Sequence, residues 1–380
     1  MPSSVEGLSE RPDAARESDW TSSESTDSSW VSGPPGSQPR PLQVTWEMTR
    51  AFNWKGGPAR AVARAAREPQ HFSTAEAFHL IDEVARMRVP LLALTGGDPL
   101  LRPDLFPIIE FASRRSVRTS LTLLPTPMLD NSVIGELKAR GLMRAGFWLH
   151  GSTAPLHDAY WGVSGSYRRT SDVIRLCHEE QLPVQVNTVI ARRNVDDLDA
   201  MIDLLTRLDI ALWNVFFLVP ADKKQAAEML DAEGHEKVFA KLYEASKQVH
   251  FHIKTTEGQH YQRYLLQQRS REARRKLTVA DAITCAPRGV NDGKGAVFID
   301  YKGEAYPSRY LPLSAGSVTD HSLSQIFAES PLFVSLRDSS KLKGKCGRCP
   351  VRNACGGSRA RAYAVTGDLF AAEPCCAYEP

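Results

Sequence analysis

Cys346, Cys349 and Cys355 follow one another as C-x2-C-x5-C, and Cys375 and Cys376 come close behind them near the C-terminus. Thiolates at such spacing hold iron–sulfur clusters or zinc. Two close cysteines chelate one metal centre from a tight turn, and further ligands arrive from elsewhere in the chain. The spacing alone leaves both metals open, while a structural disulfide does not suit a reducing compartment. The N-terminal half offers only Cys177, three residues after Ile174 on an amphipathic helical pattern, which reads as a core position. His150 is of a type whose ordinary pKa lies near neutrality. It is a candidate general acid or base, or else a histidine that packs and hydrogen-bonds locally. Trp148 and Trp161 would either stack on a flat substrate or fill space.

These residues sit on a repeating pattern. Short β-branched or apolar runs are QVTWEMTR, VPLLALT, VRTSLTLL, MRAGFWL, LPVQVNTVI and IALWNVFFLV. Amphipathic stretches with helix-start signals separate them. Ser73 and Glu76 form a capping-box pattern, Pro103 opens a helix, and Ser171 caps the stretch DVIRLCHEEQ. Six β-then-α units predict parallel strands with right-handed crossovers, as a barrel, a partial barrel or an open α/β sheet. In each, the site lies at the C-terminal ends of the strands. Residues 231–276 read as two long helices around a strand near HFHIKTT. Beyond Cys285, Gly and Pro become frequent, and AVFIDYKGEAYPS reads as a hairpin turning at Lys302-Gly303. The expected division is a tail over 1–41, a barrel over 42–280 and a cysteine-rich module over 281–380.

The tail is rich in Ser, Pro, Gly and acidic residues, a composition that does not offset ordering entropy. Trp20 and Trp30 within it are either docking anchors or idle. With 380 residues and a net charge of +3, the chain has the composition of a soluble enzyme, without a pull toward nucleic acid or membrane. No window approaches a membrane span, and the first residues lack the apolar core of a signal peptide, so a cytoplasmic protein is expected. The basic run Arg269, Arg271, Arg274, Arg275, Lys276 reads as a solvated helix face.

The segment from Cys346 through GGSRARAYAVTGDLFAAEP to Cys376 resembles the C-terminal auxiliary-cluster (SPASM) domain of radical S-adenosylmethionine (SAM) enzymes. It is similar to the branch that contains haem-pathway and peptide-modifying members. Leu94-Thr-Gly-Gly-Asp-Pro looks like the family's strand-end motif for the SAM amino group, and HDAYWGVSGSY, VQVNTVIARRN and LWNVFFLVP resemble later strands. The resemblance implies a partial (β/α)6 TIM-like barrel with a small C-terminal iron–sulfur module. It implies SAM contacts from Gly96, Gly97, Asp98, Asn187 and Thr188, against the alternatives of a turn aspartate that caps a helix and structural strand-end residues. It also implies a 4Fe-4S cluster on Cys346, Cys349, Cys355 and Cys376, with Cys375 as a substitute. Cys285 would open a second auxiliary site, but Ser308 stands where some relatives have its next cysteine.

The chain departs from the family at the first strand. Phe52, Gly56 and Ala59 occupy the places of the three cysteines that hold the SAM-cleaving cluster. None of them ligates iron, and without that cluster reductive cleavage of SAM loses its electron source. The resemblance therefore implies a non-radical, SAM-binding enzyme that acts on a peptide, tetrapyrrole or other natural-product intermediate. The alternative is a catalytically silent protein that binds such a molecule or a partner enzyme. A third reading keeps radical chemistry with unexpected cluster ligands.

Overall fold

The computed structural model describes residues 39–51, 72–272 and 292–380. Phe52, Gly56, Ala59 and Cys285, the tail with Trp20 and Trp30, and the expected boundary near residue 280 lie outside them.

Among the described residues, nine strands form one sheet in the order β7-β6-β5-β4-β3-β2-β1-β8-β9. They are β1 (Gln43–Glu47), β2 (Leu91–Thr95), β3 (Thr119–Thr122), β4 (Arg144–Trp148), β5 (Val184–Ile190), β6 (Leu212–Phe217), β7 (His252–Thr256), β8 (Ala296–Ile299) and β9 (Ala305–Tyr306). All neighbours pair in parallel except β8 and β9, which form the expected hairpin around Gly303. The helices are α1 (Thr74–Arg86), α2 (Leu105–Arg114), α3 (Asn131–Ala139), α4 (Ala154–Trp161), α5 (Ser166–Glu179), α6 (Leu198–Arg207), α7 (Lys223–Glu228), α8 (Ala232–Ser246), α9 (His260–Glu272), α10 (Leu323–Glu329), α11 (Pro331–Arg337), α12 (Gly344–Arg348) and α13 (Arg359–Thr366).

This is the expected α/β partial barrel, with two additions. The strand near HFHIKTT does not mark a change of architecture, because β7 extends the sheet beyond β6. The segment after residue 292 contributes β8, which pairs with β1 on the other side. The sheet curls: Lys254 Nζ on β7 donates to Gln43 Oε1 on β1 at 2.8 Å although five strands lie between them.

Side chains alternate across each strand. Val44, Trp46, Leu92, Leu94, Phe147, Val186, Trp213 and Val215 are buried in the main core with the helices. Ser73 caps α1 in the expected capping box. Ser171 does not cap a helix. α5 starts five residues earlier, at Ser166, and the Ser171 hydroxyl donates to Tyr167 O inside it. The Asp158 carboxylate sets that start by accepting from Gly165 N, Ser166 Oγ and Tyr167 N. Arg269 and Arg271 are exposed on α9, as a solvated face requires. Among the described residues no helix is long and apolar enough to cross a membrane.

Candidate functional site

The strand end after β2 is built against the exit of β1. Gly97 N donates to Thr49 O at 2.8 Å and Asp98 N to Ala51 O at 2.7 Å. A Cβ on Gly96 would stand 2.5 Å from Thr49 O, and one on Gly97 2.0 Å from Ala51 O. Both glycines are therefore required by backbone approach. This zip fixes Asp98, which is fully buried. Its Oδ1 accepts from Leu100 N at 3.2 Å and so caps the 3-10 turn Pro99–Leu101. It does not cap a helix at Pro103, because α2 begins at Leu105. Its Oδ2 has no partner of hydrogen-bonding geometry among the described residues, but the Thr126 hydroxyl, itself without a partner there, is close enough to lower the carboxyl's pKa. Burial pushes the carboxyl above its ordinary value. The carboxylate lines a cavity of about 350 Å³ together with Thr126, Ser166 and Arg169. Arg169 pins the cavity's edge by donating to Thr126 O and Leu129 O, both at 2.8 Å. A buried carboxylate on a cavity wall, with one oxygen short of a well-formed hydrogen bond, is a seat for a cationic donor.

Asn187 and Thr188 part company, because neighbours on a strand face opposite ways. The Thr188 hydroxyl donates to Leu149 O and accepts from Trp213 Nε1, on the core side. Asn187 faces the inside of the curl, where its Oδ1 accepts from Gln185 Nε2.

An aromatic group stands at the ends of β4 and β6. The His150 ring lies 3.6 Å from that of Tyr160 and 5.5 Å from that of Trp148, both stacked. Trp148 also meets Phe216 at 5.0 Å, and Trp161 lies 5.8 Å from His150. His150 is 2 % exposed. Its Nδ1 accepts from Val189 N at 3.3 Å. Burial, reinforced by His157 and Arg193, holds its pKa well below the ordinary value, so the ring is neutral near pH 7. Arg193 lies over Tyr160, and Arg309 lies over Tyr310.

The inner face carries two cations that the sequence did not single out. Burial brings Arg144 down to about 10. Burial, with Arg144 nearby, brings Lys254 down to about 8. The folded Lys254 thus releases its proton before the unfolded chain does, at an ordinary pKa of about 10.4. Between these values unfolding takes up a proton, so wild-type stability rises with pH there. Lys254→Met is expected to raise the melting temperature at pH 7, and this advantage should shrink from about pH 8 upward. Lys254 is half-buried on an edge strand, so solvent tempers the effect; thermal unfolding across pH checks it, and a pH-independent difference would show that solvent screens this charge.

The C-terminal cysteines converge. Cys346 on α12, Cys349, Cys355 and Cys376 line one pocket with His260, Arg263, Lys345, Arg352 and the pair Gly356-Gly357. Glu373 N donates to Cys346 Sγ at 3.3 Å. Burial raises the Cys349, Cys355 and Cys376 thiols. Cys375 is absent from the pocket lining, and its Sγ donates to Leu230 O at 3.4 Å. Among the described residues, no three His, Cys, Asp or Glu side chains are gathered as a single metal ion would need.

Behind the pocket lies a buried ionic network absent from the sequence reading. Arg361 Nε donates to Glu373 Oε1 at 2.8 Å and Nη2 to Glu257 O at 2.7 Å. Glu373 also accepts from Ser358 N and Cys375 N. The Glu257 carboxylate accepts from Ser308 Oγ at 2.7 Å and Ser358 Oγ at 2.5 Å. Ser308 is thus engaged by a carboxylate.

Comparison with known proteins agrees with the fold. Residues 51–205 match the family model described as the radical SAM superfamily. The chain is 32 % identical over 340 residues to the AdoMet-dependent heme synthase of Methanosarcina barkeri, covering 90 % of this chain and 97 % of that one. Its fold is similar to that of Streptococcus suis SuiB bound to S-adenosylmethionine, with a TM-score of 0.69, 14 % identity, and coverage of 89 % of this chain and 78 % of that one. SuiB bound to its precursor peptide SuiA gives a TM-score of 0.68 at 14 % identity, covering 89 % and 76 %. The chain belongs to the radical SAM superfamily.

Proposed function

We propose that this chain keeps the SAM seat of its superfamily but not the reductive cleavage of SAM, and that it acts on a flat, carboxylate-bearing biosynthetic intermediate of the tetrapyrrole class. The observation that carries the reading is the side-chain chemistry after Ala51. Phe52, Gly56 and Ala59 offer no electron pair to iron, and the first cysteine in the chain is Cys177. The residues present do not fit a SAM-cleaving cluster, so no step is derived through one.

They do fit the amino group of SAM. The Oδ2 of Asp98 would take an ammonium hydrogen bond, with Gly96 and Gly97 allowing the close turn. Bound SAM would supply an electrophilic sulfonium. Trp148, Tyr160, Trp161 and Phe216 would offer faces to a flat substrate. Arg193 and Arg309 at the rim, and Lys254 and Arg144 inside, would answer its carboxylates. The heme synthase likeness supports the same substrate class. A peptide remains the second substrate class, on the likeness to SuiB with SuiA.

The C-terminal residues fit a 4Fe-4S cluster held by Cys346, Cys349, Cys355 and Cys376. Four thiols share one pocket, Arg263, Lys345 and Arg352 offset thiolate charge, and a peptide N–H already reaches Cys346 sulfur. A mononuclear zinc site would need its ligands drawn closer together. Electron transfer or a structural role would follow.

A catalytically silent binding protein is the second reading. The neutral, stacked His150, with Nδ1 already engaged, favours it because the aromatic pocket then lacks a general acid in that residue.

SAM titration by calorimetry, followed by incubation with SAM and a strong reductant, tests the proposal. Saturable heat lost in Asp98→Ala, with no 5′-deoxyadenosine formed, is expected. Formation of 5′-deoxyadenosine would overturn the loss of radical chemistry, and no binding at high SAM would favour the silent protein.

A further inference from the structure

His260, the first residue of α9, lines the four-cysteine pocket and is fully buried. Neither ring nitrogen has a hydrogen-bond partner among the described residues. Its other neighbours are the rings of Phe239, edge-on at 4.7 Å, His235 at 5.0 Å and Phe217 at 6.5 Å, and the charges of Glu373, Arg361 and Arg263 act on it without a hydrogen bond to either ring nitrogen. A phenylalanine would suit such a nest better, since an imidazole buried there leaves a donor and an acceptor unmet. The residue makes sense only if something in the pocket accepts its N–H. Arg263, one turn on along the same helix face, lines the pocket too. Its guanidinium pairs with Glu236, yet its Nε has no partner among the described residues. The two residues give α9 a pair of unspent N–H donors beside the cysteines.

We infer that His260 is a positioning residue for the C-terminal cluster, donating a hydrogen bond from its ring N–H to a cluster sulfur or a ligating thiolate, with Arg263 Nε as its companion. This rests on the proposed 4Fe-4S site. Donors to sulfur stabilise the more negative, reduced state and so raise the reduction potential. His260→Phe keeps the ring and fills the nest but lacks the donor, whereas His260→Gln restores an N–H at about the same reach.

The experiment is a redox titration followed by electron paramagnetic resonance, with iron and sulfide analysis and thermal unfolding of each variant. His260→Phe is expected to retain its cluster and fold while favouring the oxidised state roughly tenfold more, about 59 mV for a one-electron couple. His260→Gln should recover most of that shift. A wild-type protein without iron and sulfide would sink the cluster itself. A His260→Phe protein with an intact cluster and unchanged potential would sink only the role of His260. Pulsed resonance on wild-type protein carrying 15N-histidine decides the matter if the variants fail to fold: a histidine coupling to the reduced cluster is expected, and its absence overturns the inference.

Discussion

Arg361→Leu is expected to destabilise the protein by about 3–5 kcal/mol, the cost of leaving a buried charge without its partner. Against a total of roughly 5–15 kcal/mol for a folded domain, that is a large share. Arg361 and Glu373 are both fully buried, and the arginine ties three places together. Its Nε meets Glu373, Nη2 meets Glu257 O beyond β7, and Nη1 meets Leu218 O beyond β6. Burial alone would raise the Glu373 carboxyl. The Arg361 guanidinium, with His260 and the Cys375 N–H, outweighs it and holds the group well below the usual range. The stabilisation is therefore complete above the unfolded carboxyl pKa of about 4.3 and fades as pH falls below it. In urea unfolding, the deficit of Arg361→Leu should be full at pH 7 and smaller toward pH 3. Arg361→Lys should not rescue it, since an ammonium cannot serve three acceptors in the plane of a guanidinium. Removing both charges, as Arg361→Leu with Glu373→Leu, should recover part of the loss. A single variant costing under about 1 kcal/mol would show that the pair is solvated rather than buried.

Local signals were legible in the sequence, and long-range ones were not. The Ser73 capping box was readable because donor and acceptor lie within one turn. The start of α5 was not, because the Asp158 carboxylate reaches seven to nine residues forward to set it and Ser171 is left inside the helix. The six apolar runs gave the strands. The strand at His252–Thr256 was visible, but its place beside β6 was not, since register comes from pairing rather than composition. Within the proposed site, cysteine spacing anticipated that Cys346, Cys349, Cys355 and Cys376 line one pocket, and the Gly-Gly-Asp run anticipated a tight turn. Asn187 and Thr188 were taken together although alternation on a strand sends them to opposite faces. The Glu257–Arg361–Glu373 network left no trace, because Arg361 and Glu257 are 104 residues apart and neither has a periodic partner. The same holds for Lys254 and Gln43, which meet only because the sheet curls.

Cys355→Ser is expected to abolish the proposed cluster, taking iron and sulfide from roughly four of each per chain to background and removing the charge-transfer absorbance. Cys355 is buried in the pocket lining, and its sulfur is close enough to Cys376, Cys346 and Cys349 for each of them to raise its thiol further, after burial itself. A serine hydroxyl there would have to ionise in a site that already disfavours charge, so it cannot replace the thiolate. Ligation releases the thiol protons, and retention should therefore weaken as pH falls. Cys375→Ser is the discriminating control. Its sulfur donates to Leu230 O and is absent from the pocket lining, so the variant should keep its iron while Cys376→Ser loses it. The reverse outcome would exchange the two neighbours as fourth ligand. Zinc without sulfide would overturn the choice of iron. Roughly eight irons in wild-type protein would require a second cluster, and the hydrogen bond from Ser308 to Glu257 argues against one there.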